Sequence, residues 1–137
     1  MISPVHWYWE LYFTPAEMAC RCGCQCHDMR AETMDRLVRV RVRFARPMLV
    51  TSAYRCLAHD MAVSPGPRRL RSHTMGQAVD VSVSGPDAYD LAALAIEERF
   101  TGVGLRQHGR HGSRIMHLDD ARPRENRVIW TYNAETT

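Results

Sequence analysis

The sequence predicts an α+β fold, a small antiparallel sheet with flanking helices, and three observations carry that prediction. Two short runs alternate in polarity as half-buried strands do. In Ala78-Val79-Asp80-Val81-Ser82-Val83 the valines fall on one face and Asp80 on the other. In Arg114-Ile115-Met116-His117-Leu118-Asp119, His117 and Asp119 share a face opposite Met116 and Leu118. Two other segments carry helix-start signals with proline at the first helical position, Thr14-Pro15-Ala16-Glu17 and Ser84-Gly85-Pro86.

Taken in order, residues 1–13 are rich in aromatics, Trp7, Tyr8, Trp9, Tyr12 and Phe13. They read as a hydrophobic flap packed on the domain, with a binding surface for a sugar or partner protein as the alternative. Thr14 and Glu17 form a capping box for a short helix to about Ala19. Cys20, Cys22, Cys24 and Cys26, followed by His27, lack the C-x2-C spacing of zinc ribbons. Three readings stay open: reduced structural thiols, a second, structural metal site using some of these five residues, or disulfides, which a reducing compartment disfavours.

Residues 29–44 fit a helical face through Met34, Leu37, Val38, Arg41 and Phe44, although the alternating Val38, Val40 and Val42 would also suit a strand. Asp28 is placed to cap the helix and Pro47 to end it. Residues 48–52 read as a buried strand that delivers Tyr54 and Arg55. Residues 59–72 read as a loop turning at Pro65-Gly66-Pro67. Its arginines, Arg68, Arg69 and Arg71, suit either a solvated loop or contact with an anionic substrate. After Pro86, an apolar stripe of Tyr89, Ala92, Ala93, Ile96 and Phe100 predicts a structural helix. Residues 101–105 lead back into the sheet, 106–113 form a polar turn bearing His108 and His111, and 128–132 read as an edge strand.

With 137 residues and 45% hydrophobic content, the chain reads as one domain, 1–137, with its core at about 12–132. The net charge of +3 is too small an excess to predict a nucleic-acid partner. No apolar run reaches the ~18 residues of a membrane span. The opening MISPVHWYWELYF has no basic start, apolar h-region or small-residue cleavage site, so the expected location is the cytoplasm as synthesised.

The chemistry concentrates between Thr51 and Val83. His73 stands seven residues before Asp80, on the loop entering its strand, where it can bend over to meet the carboxylate. One imidazole and one carboxylate are two-thirds of a catalytic zinc site, which has three protein ligands and an open position. His117 supplies the third if the two alternating strands lie side by side.

These residues resemble the zinc D-alanyl-D-alanine carboxypeptidases, in particular their short phage and prophage branch. SAYR, SHTMGQAVDVS, GVGL and MHLDD stand where that branch has S-G-Y-R, S-x-H-x-x-G-x-A-x-D-I, G-V-G and H-V-D. The likeness covers roughly residues 12–122. It implies the fold shared by D-alanyl-D-alanine dipeptidases, some endolysin peptidases and the hedgehog signalling domain. It also implies zinc on His73, Asp80 and His117 and a peptidoglycan stem peptide as substrate. Arg55 would then hold the free carboxylate of a D-alanyl-D-alanine peptide, a bidentate task suited to a guanidinium, with Ser72 adding a hydrogen bond. Phage lysis or structural proteins become the expected partners, and a holin or virion the expected route to the cell wall.

Two departures from the family pattern matter. Arg71 stands where the family has serine, with Ser72 displaced by one. Arg114 stands three residues before His117, where many relatives carry the general-base carboxylate, and arginine cannot take a proton at neutral pH. Asp119 is the substitute candidate for the base, with His108 and His111 behind it if their loop folds over the metal. A salt bridge to Arg122 or Arg114 is the competing use of Asp119. The expected function is a zinc peptidase acting on cell-wall peptides. The alternative is a catalytically weak or inactive phage structural or assembly protein that keeps the zinc-site fold.

Overall fold

Residues 8–67 and 70–132 are described by the computed structural model, so the expectations for Trp7, Arg68 and Arg69 lie outside the described residues. Tyr8–Leu11 make one 3-10 turn, and from it Trp9 and Phe13 enter the core while Leu11 and Tyr12 stay exposed. The Trp9 indole N–H donates to Asp35 at 2.8 Å, so the buried ring keeps a polar partner. Helix α1, Pro15–Met18, has the expected capping box: Thr14 Oγ1 accepts from Glu17 N–H and Glu17 Oε1 accepts from Thr14 N–H.

Helix α2, Ala31–Phe44, buries Met34, Leu37, Val40 and Phe44, which settles the helix–strand ambiguity of that segment. Asp28 is not its cap. The Arg30 N–H is bonded to the Gly76 carbonyl at 2.9 Å, and Arg30 itself occupies the cap position. The helix ends at Ala45, which turns left-handed (φ 56), two residues before Pro47.

Strand β1, Leu49–Ser52, lies at the sheet edge with only Val50 buried, so the expected buried strand is an edge strand. A second correction follows at α3, Leu57–Val63, which forms where a loop was expected to start at residue 59. This helix buries the acid Asp60 and leaves Leu57, Met61 and Val63 exposed.

Strands β2 (Ala78–Ser82), β3 (Gly102–Arg106), β4 (Ile115–Asp119) and β5 (Val128–Thr131) complete a sheet of order β1-β2-β4-β3-β5. The first three pairings are antiparallel, and β5 runs parallel to β3, so the sheet is mixed rather than wholly antiparallel. Register explains the reversal. Strand β4 ends opposite Gly102 and β5 begins opposite Gly102, so residues 120–127 pass around the start of β3 and the chain turns back to run alongside it, opposite in direction to β4.

Helix α4, Gly85–Glu97, packs through Ala88, Leu91 and Ala95, while Tyr89 and Ile96 of the expected stripe are exposed. The buried face is thus turned by about one residue, toward the smaller side chains that allow close approach to α2. Ion pairs of Arg39 and Arg43 with Glu98, and of Arg46 with Asp87 and Asp90, rim that contact. Val79, Val81, Val103, Met116 and Leu118 are all buried in the core beneath the helices. Among the described residues no helix is long and apolar enough to cross a membrane.

Candidate metal centre and its cleft

Because the valines take the core face, alternation puts the polar residues of the central strands on the other face. Strand register then lines them up. Asp80 on β2 is opposite His117 on β4, His117 is opposite Gly104 on β3, and Gly104 is opposite Trp130 on β5. His73 comes over from the loop before β2, held by its Nδ1, which lies 2.7 Å from the Ala53 carbonyl.

The orientation of the two imidazoles is specific. His73 turns Nε2 to Asp80 Oδ1 at 3.4 Å, and His117 turns Nδ1 to the same oxygen at 2.9 Å. The opposite nitrogen of each ring has its own acceptor: the Ala53 carbonyl for His73, and Asp119 Oδ2, at 2.8 Å, for His117 Nε2. Each ring therefore has its outer N–H fixed and one nitrogen presented inward, the arrangement that holds metal-ligating histidines. The three ligand atoms all lie within 4.8 Å of one another, and His73, Asp80 and His117 are all buried. Bonds of about 2.0–2.2 Å to one tetrahedral ion would set neighbouring ligand atoms about 3.3 Å apart, which is close to the two separations seen here. Two imidazoles and a carboxylate fit a catalytic zinc ion.

As long as no cation shares these groups, Asp80 and His117 shift each other's titration. Burial raises the pKa of Asp80, but the charge of His73 and the hydrogen bonds of His117 and His73 outweigh it and hold Asp80 well below the carboxylate range. Burial lowers the pKa of His117, but the hydrogen bonds to Asp119 and Asp80 outweigh it and push His117 up to about 9.

Two glycines make room on this face. A Cβ on Gly104 would lie 2.6 Å from two ring carbons of Trp130, so its absence lets the indole reach His117, with ring centroids 5.3 Å apart. A Cβ on Gly102 would collide with the Arg122–Asp119 ion pair. The GVG segment thus alternates core valine with site-side glycine.

The centre opens into a cleft of about 540 Å³ walled by Arg55, Arg71, Ser72, Arg122, Trp130 and Tyr132, among others. Arg55 donates Nε to Ser52 at 3.1 Å, one terminal nitrogen to Asp60 at 3.1 Å, and the other to Asp80 Oδ2 at 3.5 Å. Arg71 holds the second oxygen of Asp60 at 2.6 Å and the carbonyls of Ser64 and Gly66. Across the cleft, Arg122 pairs with Asp119 and lies 4.7 Å above the Trp130 ring.

The sequence-predicted residues fall as follows. His73, Asp80 and His117 converge. Arg55 and Ser72 line the same cleft. Asp119 is 0% exposed, pinned between His117 and Arg122, and is not among the cleft-lining residues. Arg122, not Arg114, is its salt-bridge partner. Arg114 is bonded instead to the Gly109 carbonyl, and neither it nor His108 nor His111 is among the residues that line the cleft. Sequence reasoning missed Asp60, Trp130 and Tyr132, and it named Arg122 only as a partner for Asp119, not as part of the cleft wall.

The cysteine loop also has a different membership from the one expected. The sulfurs that gather are those of Cys20, Cys22, Cys24 and Cys56, and all five cysteines are free thiols. Cys26 is left out because it stands at the loop mouth, where its carbonyl accepts the Cys20 N–H at 2.8 Å and its thiol turns to the Cys24 carbonyl.

Residues 11–119 match the family model described as Peptidase M15. No curated protein matches the chain.

Proposed function

The chain belongs to the peptidase M15 family, a family of zinc peptidases, and on that premise we propose that it hydrolyses peptidoglycan stem peptides in the manner of a D-alanyl-D-alanine carboxypeptidase of phage or prophage origin. The observation that carries this reading is the pair of imidazoles facing one carboxylate, each with its outer nitrogen anchored, at the floor of an arginine-walled cleft. When bound, zinc supplies an acidified water and polarises the scissile carbonyl.

The protein's own residues position and bind. The Ala53 carbonyl and Asp119 fix the ring orientations of His73 and His117. Arg55 holds Asp80, lines the cleft and keeps two N–H groups beyond its three bonds. A terminal carboxylate of the substrate is the ligand that suits them, with Ser72 beside it. Arg122 and Trp130 form the opposite wall, with the guanidinium held over the indole. The test is release of D-alanine, or cleavage of purified peptidoglycan, by zinc-loaded protein. Turnover no higher than that of His73→Ala would end this reading.

One observation favours the alternative of a weak or inactive phage assembly component. Both carboxylates that line the cleft are engaged: Asp60 with Arg55 and Arg71, and Asp80 with both histidines and Arg55. A general base contributes about 10²–10⁴ in rate, and no unpaired carboxylate stands ready among the described cleft residues. Stable co-purification with tail or capsid proteins, without hydrolysis, would decide for it.

A further inference from the structure

We infer that Cys20, Cys22, Cys24 and Cys56 form a second metal site that holds one tetrahedral zinc ion with a structural role. The four sulfurs lie within 4.8 Å of one another. The separations are 3.4 Å for Cys20–Cys22, 3.8 Å for Cys20–Cys56 and 3.7 Å for Cys22–Cys56. Four thiolates about 2.3 Å from one zinc sit about 3.8 Å apart, so the cluster already has nearly the dimensions of a filled site. A disulfide would need about 2.05 Å and could join only two of the four. Cys20 is about equally close to Cys22 and to Cys56, so neither is its sole partner.

Two surrounding features suit ligation. The Cys56 N–H donates to Cys20 Sγ at 3.4 Å, the kind of outer hydrogen bond that orients a thiolate ligand. The loop is closed by the Cys20 N–H to Cys26 carbonyl bond, and left-handed Gly23 (φ 97) and Gln25 (φ 64) bend it so that alternate side chains gather. A four-cysteine, all-sulfur set selects a soft tetrahedral ion over a hard one.

The placement gives the ion a task. Cys56 follows Arg55 directly and caps α3, which carries Asp60, while the other three ligands follow α1. The two segments are already tied by Tyr54 N–H to the Met18 carbonyl and by Arg21 to the Val50 carbonyl. Zinc here would clamp the loop after α1 to the start of α3, next to Arg55 in the cleft wall.

The test uses the full chain, purified reduced and equilibrated with zinc, and counts zinc per chain. We expect two ions in the wild type, one in Cys56→Ser and in His117→Ala, and two in Cys26→Ser. Cobalt in place of zinc should give thiolate charge-transfer absorption that survives His117→Ala and disappears in Cys56→Ser. Should Cys56→Ser not fold, the wild type alone answers: four of its five thiols should resist a thiol reagent until a chelator is added. Immediate reaction of all five overturns the site. A wild-type count of one that falls to zero in His117→Ala also overturns it, and leaves the peptidase centre standing.

Discussion

Asp119→Asn separates two roles that the sequence leaves open for one carboxylate. Asp119 is fully buried, with Oδ2 shared by His117 Nε2 and Arg122, and Oδ1 3.3 Å from the Ala121 N–H. Asparagine keeps the shape but removes the charge. If Asp119 positions His117, its loss weakens metal binding by the 10–100-fold typical of an outer ligand partner, or about 1.4–2.7 kcal/mol. Folding suffers as well, because Arg122 loses its anion. Breaking a fully buried pair costs about 3–5 kcal/mol, but Arg122 keeps 24% of its side chain exposed and the Trp130 ring beneath it, so the loss should be smaller. If Asp119 were the general base, zinc affinity would hold while kcat fell by about 10²–10⁴. Competition against a chromogenic zinc chelator gives the first quantity, and D-alanine release at saturating zinc gives the second. An unchanged zinc affinity with a collapsed kcat would refute the positioning role.

Three further outcomes are expected. Gly104→Ala should push Trp130 off His117 and destabilise by the ~1–3 kcal/mol of overpacking; unchanged Trp130 fluorescence and melting would contradict the close contact. Zinc affinity should climb with pH until about 9, because in the ion-free protein the raised pKa of His117 keeps a proton that zinc must displace. The same shift means that His117 stabilises the ion-free fold fully below its ordinary 6.5 and that this is lost as pH rises through about 9, which melts with and without zinc can check. Asp60 behaves oppositely: burial works against its ionised form, but hydrogen bonds from Arg71 and Arg55 outweigh it and lower its pKa. Its stabilisation is present above the ordinary carboxylate pKa and lost as pH falls through the folded value, so Asp60→Asn should be weaker at neutral pH and show a flatter acid limb in urea titrations.

The parts of this fold that could be read from the chain are those where one strand face meets the apolar core and the other a polar site. Strands β2 and β4 sit at or near the sheet centre with helices on one side, so period-two alternation is strong there, and the same alternation exposed Asp80 and His117 as site residues. Where burial is weak the pattern fades. Leu49 on β1 and Ile129 on β5 are apolar yet exposed, so neither edge strand announces its face. Helix α3 inverts the rule altogether, because its buried residue is an acid satisfied by two arginines from elsewhere. In α4 hydrophobicity pointed to Tyr89 and Ile96, but close packing on α2 chose the alanines. Cys56 was missed because it lies 30 positions after Cys26, the last cysteine of the loop, and no local spacing connects them. The glycines of GVG did carry a signal: glycine on alternate positions of a strand marks a large group crossing above it, here Trp130 and the Arg122–Asp119 pair.

The same geometry makes the substrate role proposed for Arg55 compatible with its bonds inside the protein. A guanidinium has five N–H donors in a fixed fork. Three nitrogens are engaged once each, by Ser52, Asp60 and Asp80. That leaves two hydrogens, on the two terminal nitrogens, which is the number a carboxylate takes in a bidentate pair. The ion pair with Asp60 fixes the fork, and Arg71 shares the charge of Asp60, so Arg55 is not neutralised by it. A lysine could match the charge but not hold three fixed partners and offer two more donors. Arg71, which displaces the family serine, therefore has a reason to be there. By binding Asp60 it leaves Arg55 positive charge for Asp80 and for the substrate carboxylate proposed above.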